Sequence, residues 1–263
     1  MTPLLALIRK EFSSLFGSPV AYVTLIGVAS VTAIIFFDHL RLYNQTLFLY
    51  ASTTIGGLNA DEIPDYINLW DSVFFPVMEA LGITLIGAVP LVTMRVFAEE
   101  RARGTDELLF TTHLTPARIV LGKFVVTFGF IALMMVVSFI YPATAITRGG
   151  LGLQHLGAVF VGLTLHGIAI ASIGLACSAF TSSQLIASVT AWAIAFVVWD
   201  FAWMYPFLNE QTAGVLDTLS LHQRYGSFAE GIVSLTNVAY FIAVAVLAMA
   251  VARFSFDLRR VGS

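Results

Sequence analysis

The chain has 263 residues, 58 % of them hydrophobic and 11 % charged, with a formal charge of −3 and a mean hydropathy of +0.88. That balance is far from the usual soluble one and belongs to the membrane class, with room for about six spans of ~20 residues and none for a separate catalytic domain. The lone Cys177 excludes an internal disulfide and leaves no basis for redox chemistry by this chain alone.

In chain order, Leu4, Leu7, Ile8, Phe12 and Leu15 recur at helical spacing opposite Arg9, Lys10, Ser13 and Ser14. This predicts an amphipathic interfacial helix over 1–16, retained rather than cleaved because no small-x-small site follows. Apolar spans are predicted near 19–37, 73–94, 119–142, 157–180, 185–205 and 232–252, and Pro19 suits a first helical turn. With the amino terminus inside, ten of the thirteen Lys/Arg fall on the cytoplasmic side, and only Arg41, Arg148 and Arg224 fall outside. The asymmetry predicts both termini cytoplasmic. The fold expected is therefore a single all-α membrane domain over 1–263 with six transmembrane helices.

Two outer segments are too long for plain turns. Residues 38–72 are polar and acidic, broken by Gly56, Gly57 and Pro64, and predict a small extracytoplasmic cap. Residues 206–231 mix apolar and polar positions without a full span. They read either as short re-entrant or interfacial helices or as a solvated loop.

The segment 95–118 carries the most specific signal. Thr105 followed by Asp106 and Glu107 reads as a helix start, Gly104 as the break before it, and Thr115-Pro116 as the start of the third span. The ordered set Arg95, Glu99-Glu100, Gly104-Thr105, Glu107-Leu108-Leu109, Pro116, Gly122-Lys123 resembles the signature of ABC-2 type transporter permeases. The opening KEFSSLFGSPVAY and the tail from LSLHQRYG to FDLRR are similar to the gliding-motility-associated (GldF-like) branch, and the copper-processing (NosY-like) permeases share the plan. His113 before Leu114 departs from the family pattern.

The resemblance implies a permease subunit that pairs with a second permease protomer, as homodimer or heterodimer, and sits on ABC ATPase subunits in a bacterial inner membrane. A further membrane subunit with an extracytoplasmic domain is also implied. Glu99, Glu100, Arg103, Gly104, Thr105, Glu107 and Leu108 become candidate ATPase-coupling residues on a cytoplasmic coupling helix between the second and third spans. ATP and Mg would be bound by the partner, consistent with the lack of a GxxxxGK[ST] run here. The other reading of the segment is a solvated connector whose charges only enforce topology. Nothing points to nucleic acid, and neither a catalytic nor a metal-ligand constellation is expected.

Inside the predicted spans, Glu79, His166 and Asp200 are ionisable groups that need a partner or water. Glu79 and Asp200 either line an outward-facing polar cavity or reach the outer interface and cap re-entrant backbone. His166 reads as a hydrogen-bonded packing residue. Gly167, Ala171, Gly174 and Ser178 form a small-residue stripe that permits close helix contact, within the chain or with a second protomer. Two other function classes stand beside the permease: a non-transporting scaffold that passes ATPase movement to an envelope complex, and, remotely, an intramembrane protease using His166 with Ser172 or Ser178.

Overall fold

The computed structural model describes residues 3–54, 67–105, 115–143 and 153–262, and among them every regular element is helical. Helix α1 (Pro3–Phe16) precedes α2 (Pro19–Thr54), and the break between them is Gly17-Ser18, where Ser18 Oγ accepts the Val20 N–H at 3.2 Å. A π-helical turn (Trp70–Phe74) runs into α3 (Phe75–Thr93), which is followed by α4 (Arg95–Ala102), α5 (Pro116–Ser138), α6 (Leu153–Phe180) and α7 (Gln184–Trp199). A 3₁₀ turn (Ala202–Phe207) leads to α8 (Glu210–Leu219), α9 (Leu221–Ala229) and α10 (Leu235–Gly262).

Among the described residues five helices are long and apolar enough to cross a membrane: α2, α3 with its flanking turns, α5, α6 and α10. Helix α7 is apolar but has 16 residues, ~24 Å at 1.5 Å per residue. The chain is a multi-pass membrane protein by these helices. Helix α6 is central, packing against α3, α5, α7, α9 and α10. Its Leu163 and Ile170 join Leu81, Leu85 and Val89 of α3 and Ile131 of α5 in the main apolar core.

Two expectations need correction. The 38–72 segment is not a loop from its start, because α2 continues to Thr54, 36 residues and ~54 Å long. Asp38 and Arg41 form an i,i+3 pair at 4.0 Å, and such polar residues end a membrane span without ending a helix. Asp200 is not in a helix, since α7 stops at Trp199 and Asp200 is extended (φ −149, ψ 133). In 206–231 the helical reading holds, with α8 and α9 spanning most of it. Leu221, Tyr225 and Phe228 of α9 are buried in the core, which a solvated loop would not permit. The helix expected from Thr105 onward, with Glu107 and Leu108, falls on residues outside those described.

A buried charge cluster at one end of the bundle

The end of the bundle where α1, α4 and α5 meet is built around a lysine. Lys123 lies about two turns into α5, and its side chain is 0 % exposed. Its Nζ donates to Val96 O at 2.7 Å and lies 3.1 Å from Glu11 Oε1 of α1 and 2.9 Å from Glu100 Oε2 of α4. The ammonium also sits 5.1 Å from the centroid of the Phe97 ring. Lys10, on α1, bonds Glu100 and approaches Glu11 at 3.3 Å. Two lysines and two carboxylates from three helices thus form a neutral group. Removing an ion from water costs several kcal/mol even after relaxation, so Lys123 is tolerable here only because all its donors are met.

A second set adjoins the first. Arg95 Nε donates to Glu99 Oε2 at 2.9 Å, Arg103 Nη2 reaches Glu99 Oε1 at 2.6 Å, and Arg95 also bonds Ser18 Oγ at the start of α2. Burial lowers the Lys10 pKa, but the Glu100 hydrogen bond and the charges of Glu11 and Glu100 outweigh it, leaving the value above the ordinary 10.5. The Lys10 contact therefore contributes fully below that pH and is lost only as pH rises through the higher folded value.

Local sequence sets this geometry. Helix α4 follows α3 after a break at Met94, and its free N-terminal amides at Phe97 and Ala98 donate to Ser178 Oγ of α6 at 3.1 and 3.0 Å. Ser178 in turn donates to Met94 O at 2.9 Å. Helix α4 ends in a Schellman motif: Gly104, at φ 65, donates to Arg101 O and Thr105 N–H donates to Glu100 O at 2.9 Å. Gly104 is needed there because a side chain at that φ is strained. Thr115 is extended and precedes Pro116 at the first position of α5, although its hydroxyl makes no capping bond. Leu7 packs on Gly122, where an added Cβ would come within 3.0 Å of its Cδ2, so α1 lies close on α5.

Glu99, Glu100 and Arg103 of the candidate coupling set therefore come together on one short helix, with Gly104 and Thr105 closing it. Glu107 and Leu108 fall outside the described residues. Sequence reasoning missed Glu11 and the depth of Lys123. A carboxylate one residue from a lysine on an otherwise apolar face was the available signal for Glu11.

The small-residue stripe on α6 meets helices of this chain. An added Cβ on Gly167 would come within 2.8 Å of Ile131 Cγ2, one on Gly174 would collide with Thr93, Ala171 is fully buried, and Ser178 caps α4. At the opposite end, Glu79 of α3 pairs with His222 of α9 at 3.1 Å, and Asp200 accepts the Ala202 N–H at 2.9 Å to open the 3₁₀ turn. His166 is fully buried, its Nε2 3.3 Å from Gly82 O and its ring 4.8 Å from that of Trp199. Ser172 donates to Ile168 O and Ser178 to Met94 O, so neither bonds His166 as a protease dyad requires.

Among the described residues the fold is a helical bundle with several helices long and apolar enough to cross a membrane, which is the class of a multi-pass membrane protein. A family model, ABC-2 family transporter protein, matches residues 59–252, and the chain belongs to that family. It is accordingly a permease subunit of an ABC transporter, a class of membrane component that is generally non-catalytic, dimerises and works with ABC ATPases. No curated protein matches the chain.

Proposed function

We propose that a separate ABC ATPase docks on α4 and the 106–114 stretch after it, and that its ATP-driven closure reaches the spans through the charge cluster. The observation that carries this reading is Lys123, a fully buried cation on α5 bonded at once to Glu100 of α4, Glu11 of α1 and the Val96 carbonyl. Buried ion pairs are costly to break, so a displacement of α4 carries α1 and the start of α5 with it. Glu99, Glu100, Arg103, Gly104, Thr105, Glu107 and Leu108 form the coupling surface in this reading, with ATP and Mg held by the ATPase.

The cluster lies on the cytoplasmic side, as the Lys/Arg bias predicts, so both termini are cytoplasmic and α7 serves as the fifth of six spans. A helix of ~24 Å is shorter than the ~30 Å hydrocarbon layer, and the 3₁₀ turn with α8 and α9 would complete its path as a re-entrant unit. The membrane is the bacterial inner membrane. The complex holds a second permease protomer and, following the likeness to the GldF-like branch, a membrane subunit with an extracytoplasmic domain. Its work is export or the driving of an extracytoplasmic machine.

Affinity purification in mild detergent from native cells, followed by mass spectrometry, tests the docking surface. The wild type is expected to retain an ABC ATPase and Glu107→Arg to lose it. Recovery of no ATPase with the wild type, or equal recovery with both, overturns the reading.

A further inference from the structure

Beside the charge cluster, α1, the start of α2, the end of α3 with α4, and α5 enclose a cavity of about 530 Å³. This is within the ~300–1,000 Å³ range of ligand pockets. Its two halves differ in chemistry. One is apolar and belongs largely to the spans, with Leu15, Val20, Val92 and Val126 on its wall, while the other carries the charged side chains and the hydroxyls of Ser14 and Ser18. Among the described residues the lining has four basic and three acidic groups. Lys10 and Lys123 are balanced by Glu11 and Glu100, so the surplus lies with Arg95 and Arg103, which share the single carboxylate of Glu99. Helix α1 packs more closely on α5 than on α2.

We infer that this cavity holds the head of an anionic phospholipid from the leaflet at that end of the bundle, its phosphate at Arg95 and Arg103 and its upper acyl chain against Val20 and Val126. One negative charge completes the two-arginine, one-carboxylate set, and guanidinium groups bind phosphate through paired N–H donors. The apolar half distinguishes a lipid from a free anion or from a carboxylate of a partner protein, neither of which would use it. The inference deepens the coupling reading, on which it rests for its role: the lipid fills the space between α1 and α4, so that the elements to be moved are held together through a bilayer component.

The test uses full-length protein stripped of lipid in dodecyl maltoside, with native mass spectrometry and thermal unfolding as readouts. Dioleoyl-phosphatidylglycerol, dioleoyl-phosphatidylcholine and inorganic phosphate are the probes. One phosphatidylglycerol per chain is expected, held about tenfold more tightly than phosphatidylcholine, with a matching rise in unfolding temperature. Arg103→Gln, whose side chain is 70 % exposed and whose loss should leave the fold intact, is expected to abolish that preference. Val20→Trp is expected to exclude both lipids.

Equal binding of the two lipids, full protection by inorganic phosphate alone, or an unchanged preference in Arg103→Gln overturns the proposal. If Val20→Trp fails to fold, Arg103→Gln decides. The ATPase pull-down is run on the same wild-type protein in mild detergent, before its lipid is stripped. Retained ATPase without lipid selectivity defeats only the lipid site, and lipid selectivity without ATPase defeats only the coupling reading.

Discussion

Where α1, α4 and α5 meet, Lys123 is fully buried with its ammonium bonded to two carboxylates and a carbonyl. At the other end of α3, Glu79 and His222 pair with over a third of each side chain exposed, and the buried polar atoms sit among rings instead. Trp199 lies 4.8 Å from His166, Tyr225 6.0 Å from it, and among the described residues neither His166 Nδ1 nor Tyr225 Oη has a hydrogen-bond partner. The first arrangement joins three separate helices through directional contacts and resists being pulled apart. The second packs α9 onto α3 and α6 by area and ring geometry, with little ionic constraint.

The comparison is most easily broken at the lysine. Lys123→Met would strand Glu11 and Glu100 and is expected to cost about 3–5 kcal/mol of stability, read as a large drop in unfolding temperature in detergent. The triple variant that adds Glu11→Gln and Glu100→Gln should recover much of it, because the charge that remains, on Lys10, has a side chain 55 % exposed and is met by solvent. Recovery of nothing would mean that Lys123 matters by packing alone.

A smaller loss is expected from Gly162→Ala at the aromatic end. The added methyl would collide with the Phe228 side chain of α9, which should cost about 1–3 kcal/mol by overpacking. An unchanged melting profile would show that α9 shifts freely on α6.

Glu79→Gln removes one partner of a half-exposed pair, so its stability effect should lie between zero and about 1 kcal/mol. Unchanged export and unchanged pH dependence in the same variant would defeat the reading in which Glu79 lines a functional outward-facing cavity. The smallest effect belongs to Tyr225→Phe, which deletes a buried hydroxyl that has no partner among the described residues. It should be neutral or stabilising by less than about 1 kcal/mol, and a clear loss would point to a bridging water at that hydroxyl.

Much of the helical bundle was legible because a membrane span is a property of a contiguous stretch: ~20 apolar residues declare themselves without reference to the rest of the chain. Even so, helix ends were misjudged where polarity was taken as a stop. Helix α2 runs 17 residues past its predicted boundary at 37, since a helix satisfies its own backbone in water as well as in lipid. Helix α7 stops before Asp200, whose carboxylate is better used taking the Ala202 N–H. At the charged site, Gly104 was read as a break before a helix starting at Thr105, and the short helix α4 that ends there, Arg95–Ala102, was not foreseen. Nothing in the local spacing hinted that Ser178, eighty residues on, would accept the amides that start that helix.

By itself the sequence determined the membrane class, the position of the apolar helices, the break at Gly104 and the small face of α6. Each follows from composition or spacing within a window of at most a few turns. Only the tertiary structure decided which carboxylates neutralise Lys123, that Glu11 is buried while its neighbour Lys10 remains half exposed, and that the α6 stripe faces α3, α4 and α5 of the same chain. Those outcomes depend on which surfaces meet after residues distant in sequence, Glu11 and Lys123 among them, have packed. Electrostatic attraction and close contact act through space, and local periodicity carries no record of that distance.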